Sequence, residues 1–278
     1  MNIKQPTEIT MYASDLFKGK VVLVTGGRSG IGYGIAQSFL ELGSDVIIAS
    51  RKKEPLLKAA SELSSFGTCE SQVCDIREPD QIEQLSKMIE KRFGRLDILI
   101  NNAGGQFPAP SHIISKKGWA AVVNNNLNGT FYMSQQMATS FFIPQNEGII
   151  INITANVMRG FPGMAHTGAA RAGVENLTKS LGQEWAEYNI RVNAVAPGIV
   201  STSGLENYPE QMQSFLKESE NKNLMKRFGT IKDIANAVLF LASPLSSYIS
   251  GVTLPVDGLE HLAGDRMELY KSIMALMK

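Results

Sequence analysis

The sequence predicts an α/β fold: a single domain built on a doubly wound parallel sheet of about seven strands with helices on both faces. Three observations predict it. Short apolar, β-branched runs alternate with stretches of helical periodicity from residue 21 to residue 254. Most of those runs are apolar on successive residues, as strands covered on both faces must be. The first strand passes into the first helix through a glycine turn, Thr25-Gly26-Gly27-Arg28-Ser29-Gly30-Ile31-Gly32. No repeat, low-complexity tract or linker divides the 278 residues, a length that buries one full core. Right-handed crossovers then put ligands at the C-terminal ends of the strands.

The elements follow in order. Residues 1–18 read as an N-terminal extension that packs loosely or serves an interface. Residues 21–24 (Val-Val-Leu-Val) form the first strand, and residues 31–43 a helix that stops at Gly43. The glycines between them let the backbone turn tightly and come close to a ligand, and the helix N-terminus offers free N–H groups to a pyrophosphate. Residues 45–49 form the second strand and 54–65 a helix with Leu56, Leu57, Ala60 and Leu63 on one side. A third strand, 71–74, leads to a helix over 79–93, and a fourth strand, 96–100, to a long helix over 115–142. A fifth strand, 148–153, precedes another long helix, 165–188. A sixth strand spans 191–195, residues 203–228 read as a helical insert, 231–242 as a helix and 252–254 as the last strand. The tail 263–278 is Met-rich with helical spacing.

Composition excludes several classes. Apolar residues are 44% and charged residues 19%, ordinary for a globular protein. A formal net charge of +1 gives no bulk electrostatic case for nucleic acid or an anionic membrane. No apolar run is long enough to span a bilayer, and residues 1–13 lack the apolar centre of a secretory leader. The two cysteines, Cys69 and Cys74, flank and occupy one strand whose side chains alternate in face, a poor geometry for a disulfide or a metal. Reduced thiols fit a cytoplasmic protein, and no metal site is expected. The ending Leu276-Met277-Lys278 is not a peroxisomal Ser-Lys-Leu address.

Five motifs stand in order: Thr25-Gly26-x-x-x-Gly30-x-Gly32, Asp75-Ile76 after the third strand, Asn101-Asn102-Ala103-Gly104 after the fourth, Asn126-Leu127-x-Gly129 in the long helix, and Arg191-Val192-Asn193-x-Val195-Ala196-Pro197-Gly198 at the sixth. Together they resemble the short-chain dehydrogenase/reductase family over about residues 20–258, which implies a Rossmann-like domain over 19–262, with 203–228 as a substrate lid. The resemblance implies that Gly26, Arg28, Ser29, Gly30 and Ile31 hold a nicotinamide dinucleotide, with Asp75 and Ile76 at the adenine. It places Asn102, Ala103 and Gly104 beside the ribose, and Pro197, Gly198, Val200 and Thr202 at the nicotinamide. It also implies a homotetramer built on the two long helices.

The identity of the dinucleotide follows from the second strand's end, Ala49-Ser50-Arg51-Lys52-Lys53. An NAD site usually carries an acid there for the ribose 2′-OH. None is in place, whereas Arg51 offers a guanidinium fork and Ser50 a hydroxyl to a 2′-phosphate. Arg28 points to the same region in related enzymes, so NADP(H) is the expected cofactor.

The expected catalytic Ser, Tyr and Lys of the family are replaced. Aligned on Ala172-Gly173-Val174, Thr167 stands at the Tyr position and Arg171 at the Lys position, and Thr154 or Ala155 stands where the Ser belongs. A Thr hydroxyl does not ionise usefully near neutral pH, and Arg171 has no accessible neutral form. Arg171 can still hold ribose hydroxyls and a fixed charge. The stretches Gly104-Gly105-Gln106-Phe107 and Arg159-Gly160-Phe161-Pro162, with Gly168-Ala169-Ala170-Arg171, resemble the peroxisomal-type trans-2-enoyl-CoA and 2,4-dienoyl-CoA reductases, and also bacterial citronellol/citronellal dehydrogenases.

The leading expectation is hydride transfer to the C=C of a 2-enoyl thioester, with Asn126, Thr154, Thr167 and Arg171 as donors or orienters. Gln106, Phe107, Phe161 and His166 are the expected pocket residues, His166 either as a proton source or as packing. The alternatives are a terpenoid alcohol dehydrogenase and a cofactor-binding member without turnover. In the lid, Leu205, Met212, Phe215, Leu216, Leu224 and Met225 either line an acyl or prenyl chain or form an ordinary amphipathic face. Lys217, Lys222, Lys226 and Arg227 read as a solvated charged face, the alternative being contact with a CoA phosphate.

Overall fold

The computed structural model describes residues 12–202, 220 and 223–263. The expectations for residues 1–11, for most of the lid and for the tail from residue 264 lie outside the described residues. Seven parallel strands form one sheet: β1 (Val21–Thr25), β2 (Asp45–Ser50), β3 (Cys69–Val73), β4 (Ile98–Asn101), β5 (Gly148–Ile153), β6 (Ile190–Pro197) and β7 (Thr253–Val256). Their order is β3-β2-β1-β4-β5-β6-β7. The chain winds outward from β1 to β3, crosses back, and winds the other way from β4. The reversal opens a crevice above β1 and β4, where ligands of such sheets bind.

Alternation within the strands builds two cores. Val22 and Val24 pack with Ile35 and Phe39 of α1 (Gly30–Glu41), with α2 (Lys53–Leu63), and with Ile234 and Val238 of the helix over Ile231–Ala242. Val21 and Leu23 face the other side, with Ile82 and Leu85 of α3 (Pro79–Phe93) and with Met133 and Phe141. Each fully buried side chain of this kind contributes about 1.5–3 kcal/mol. The described residues contain no helix long and apolar enough to cross a membrane.

Several expected boundaries move. The long helix is one helical run with two wider turns. It comprises α4 (Lys116–Val123), a π turn (Asn124–Asn128), α5 (Gly129–Met137), a second π turn (Ala138–Phe142) and α6 (Ile143–Gln145). Helix α7 (Ala165–Glu184) gives way at Trp185 to a 3₁₀ turn, Ala186–Tyr188, so the expected helix to residue 188 closes a turn early. The last α-helix among the described residues, α8 (Ile231–Ala242), starts on a capping box in which Thr230 and Asp233 exchange hydrogen bonds. The boundary expected at residue 18 falls inside a packed turn. Phe17 is buried edge-on to Phe39, with ring centroids 4.9 Å apart, and its N–H donates to Leu42 O. Both cysteines are free, and burial pushes each thiol up to about 12, so neither is reactive near neutral pH.

Candidate active site

The crevice is built from strand ends and held open by small residues. The Thr25 hydroxyl donates to Ile100 O and accepts the N–H groups of Asn102 and Ala103, each at 3.0 Å, which ties the end of β1 to the loop after β4. Asn102 Nδ2 donates to Thr25 O at 2.9 Å. Gly26 turns the chain at φ +69°, where a side chain would meet Asn102 and Ala103. Gly30 turns at φ +58° beside open space: a Cβ there would meet only Thr202, at 4.0 Å. Helix α1 starts there with no side-chain cap from Ser29 and no acid in its first turn, so its end N–H groups are left for a ligand. A cavity of about 490 Å³ follows, lined by Gly26, Arg28, Ser29, Gly30, Ile31 and Gly32. Its other walls are Ser50, Arg51 and Lys52, then Cys74 and Ile76, then Asn102, Ala103, Gly104, Asn125 and Thr202. Backbone donors at a glycine-lined helix start, facing a groove with two arginines, fit a dinucleotide diphosphate.

Asp75, expected at the adenine, is not on this wall. Arg77 holds its carboxylate, donating Nε at 2.9 Å and Nη2, and this pairing keeps the carboxyl below the usual carboxylate range. The backbone N–H of Asp75 is taken by Gln81 Oε1 at 2.8 Å.

A second cavity of about 960 Å³ joins the first along Ile31, Asn102, Gly104 and Thr202. Ile153, Phe161, Pro162, Met164, Ile199 and Val200 give it an apolar wall, with Pro197 and Gly198 beneath. Its polar groups include Gln106, Thr154, Asn156, Arg159, Arg171 and Glu260. Arg171 is 8% exposed. Its Nη1 donates to Ile153 O at 2.9 Å, and among the described residues it has no carboxylate partner. Burial pushes the guanidinium down to about 10, so it stays charged at neutral pH. The Gly104 backbone lies so close that a Cβ there would overlap Arg171 Nη2 and come within 2.7 Å of Asn126 Oδ1.

The other expected catalytic residues divide. Thr154 is on the wall, with its hydroxyl donating to Val195 O at 3.2 Å. Ala155 is on the wall beside it. Asn126 is buried behind the wall. Its Nδ2 donates to Gly105 O at 2.7 Å and Val122 O at 2.8 Å, and its Oδ1 accepts from Gly105 N at 3.2 Å, so it positions the loop. Thr167 and His166 differ from the expectation: both are wholly buried and neither lines the cavity. His166 Nδ1 accepts from Thr167 N–H at 2.8 Å, which assigns the ring proton to Nε2, a buried atom without a partner among the described residues. The ring packs edge-on to Phe107 with centroids 4.5 Å apart, and Phe107 is not on the wall either. Thr167 precedes Arg171 by one turn on the same helix face, but its short side chain ends within the packing, whereas the guanidinium reaches the cavity.

Glu260 is absent from the sequence expectations. It follows β7 in a turn started by Asp257, whose carboxylate holds Asn156 Nδ2 at 3.1 Å, His261 N–H at 2.8 Å and His261 Nδ1 at 2.8 Å. Burial raises the Glu260 carboxyl above its ordinary value; a backbone hydrogen bond from Ile199 opposes this, and the Asp257 charge adds a smaller upward push. The signal in the sequence is Leu259, where a second glycine is commoner. It adopts φ +72°, a strained value for leucine.

The family model described as enoyl-(acyl carrier protein) reductase matches residues 26–258. The peroxisomal 2,4-dienoyl-CoA reductase of Rattus norvegicus is 39% identical over 254 residues, 89% of this chain and 86% of that protein. The 3-oxoacyl-[acyl-carrier-protein] reductase FabG of Thermotoga maritima is 36% identical over 243 residues, 87% of this chain and 97% of its own length. Among solved structures, the citronellol catabolism dehydrogenase of Pseudomonas aeruginosa PAO1 superposes with a TM-score of 0.81 at 35% identity, over 90% of this chain and 98% of that one.

Proposed function

The chain belongs to the short-chain dehydrogenase/reductase family and is an oxidoreductase, and from that premise we propose that it reduces the conjugated C=C of a 2-enoyl thioester with NADPH. The observation that carries this reading is Arg171, a buried guanidinium on the larger cavity with no carboxylate to balance it among the described residues. Such a group stabilises an oxyanion without giving up a proton. That suits a reaction in which the thioester oxygen gathers charge and the final proton goes to carbon. It suits carbonyl reduction less, because there the oxygen itself must be protonated. The site is therefore read as non-classical, with Arg171 rather than a phenol at the reacting oxygen. The dienoyl-CoA reductase name of the Rattus norvegicus relative favours the same chemistry.

When bound, the reduced nicotinamide supplies the hydride. The residues of this chain supply the rest. Arg171 holds the thioester oxygen as the enolate forms, and Thr154 adds a donor once its hydroxyl turns from Val195 O. Asn126 fixes the Gly104-Gly105 loop between the two cavities. Phe161, Pro162, Met164 and Ile199 hold the acyl chain and exclude water. Arg159, exposed on the same cavity, meets the phosphates of a CoA ester. NADP over NAD is supported by Arg51, Ser50 and Arg28 on the smaller cavity. The test is NADPH oxidation by the purified protein with a panel of 2-enoyl-CoA and 2,4-dienoyl-CoA esters. Turnover is expected, and binding of NADPH without turnover across the panel contradicts the reading. The 35% identity to the citronellol catabolism dehydrogenase supports a second reading, a terpenoid alcohol dehydrogenase. It requires citronellol-dependent reduction of NADP⁺.

A further inference from the structure

Hydride addition to an enoyl thioester leaves an electron pair on the thioester oxygen, and turnover ends only when that pair returns to make a Cα–H bond. The proton needs a source in the cavity. Among the described residues on its wall, three side chains carry ionisable groups: Arg159, Arg171 and Glu260. The two guanidiniums keep their protons near neutral pH. Thr167 and His166 are wholly buried and neither lines the cavity, and Phe107 packs edge-on against the His166 ring. Glu260, by contrast, is fixed over the end of β6. A Cβ on Gly198 would come within 2.7 Å of Glu260 Oε2, and the Ile199 backbone holds the carboxyl from the same loop.

We propose that Glu260 is the proton donor of the reaction, so that its carboxyl protonates Cα of the enolate while the thioester C=O bond re-forms. The carboxylate left behind takes a proton from water that enters with product release. Electrons and protons then balance: one hydride from the cofactor and one proton from Glu260 saturate one C=C, or convert a 2,4-dienoyl ester to a 3-enoyl ester. The inference rests on the enoyl-thioester reading above. Among the described residues, the charged and titratable groups around Glu260 are Asp257 and His261 on its own turn and Arg159 and Arg171 on the wall of the same cavity. Burial outweighs the Ile199 hydrogen bond and, with a smaller push from Asp257, favours the protonated carboxyl, the form a donor needs.

Glu260→Gln keeps the size of the side chain and an acceptor for Ile199, and Glu260→Asp keeps the acid. The measurement is kcat for NADPH-dependent reduction of a 2-enoyl-CoA across pH 5–9, with NADPH affinity by fluorescence as the check on folding. In the wild type kcat should fall as pH rises through the Glu260 ionisation. In E260Q kcat should drop about 100-fold or more and lose that limb, with NADPH affinity unchanged. E260D should retain the limb at a lower rate, which tests the proposal even where E260Q folds poorly. A full rate with the same limb in E260Q, or a missing limb in E260D, overturns the role of Glu260 and leaves the enoyl-thioester reading intact. A wild type that oxidises no NADPH with any 2-enoyl thioester overturns both.

Discussion

Arg171 and Arg51 carry the same guanidinium into opposite surroundings. Arg171 is desolvated beside an apolar wall, where a charge acts strongly on a developing oxyanion. Arg51 is exposed at the lip of the smaller cavity, where its fork of N–H donors would meet the 2′-phosphate of the proposed NADP(H) within reach of water. Arg171→Met should lower kcat for the enoyl thioester by about 10²–10³-fold. NADPH affinity should change much less, as fluorescence titration would register. Arg51→Ala should weaken NADPH by about 10–100-fold, the loss of one charge-assisted hydrogen bond, and leave NADH nearly untouched. Equal losses for the two cofactors would remove the 2′-phosphate from the account of Arg51. At this scale the sequence was legible where a motif fixes the position, as at Gly26, Asn102 and Arg171. Spacing alone did not show that Thr167 stops short of the cavity while Arg171 reaches it, because that depends on side-chain length and on how deeply the start of α7 is buried. Glu260 had no motif to announce it, since a carboxylate on a turn after the last strand ordinarily reads as solvated surface.

Strands and helices were legible as apolar runs and periodicity, and their ends moved by a few residues where capping decided them. The π turns were not. In the turn Asn124–Asn128 the Asn126 amide reaches back to Val122 O at 2.8 Å while it also grips Gly105. One extra residue in the turn thus serves the loop between the cavities, and wider turns of this kind gather at functional sites. Polar residues also stitch elements across the core. Asn101 Nδ2 donates to Asn152 Oδ1 and to Ser134 Oγ, and Asn152 Nδ2 donates to Thr178 Oγ1, each at 2.9 Å, linking β4, β5, α5 and α7. All four side chains are buried. Asn152→Ala removes one bond at each end and leaves a void, so it should cost about 2–4 kcal/mol in urea unfolding. A loss below about 0.5 kcal/mol would mean that water replaces the amide at no cost. The same asparagines show why periodicity underdetermines a core: a polar residue in a buried strand is intelligible only once its partner on another element is known.

For the molecule as a whole, one topological event makes the site. The chain reverses its winding between β3 and β4; the smaller cavity lies over the ends of β1, β2 and β4, and the larger one continues over the ends of β4, β5 and β6. Alternating strand and helix signals foretold this architecture, because right-handed crossovers leave few other ways to cover both faces of a parallel sheet. The smaller cavity takes its donors from backbone at the start of α1, and the larger one meets it at Gly104. The two cavities thus meet at one loop that lies against Arg171, where the proposed hydride donor and acceptor would sit side by side. The chemistry assigned to this meeting is addition of hydride to the carbon remote from a thioester oxygen. It is tested most directly by turnover of a 2-enoyl-CoA with NADPH deuterated at the transferable nicotinamide position, followed by mass and NMR analysis of the product. The account predicts a saturated thioester carrying one deuterium at Cβ, with hydrogen from solvent at Cα. Deuterium on an alcohol carbon from a citronellal-type aldehyde, with no label entering the thioester, would contradict it.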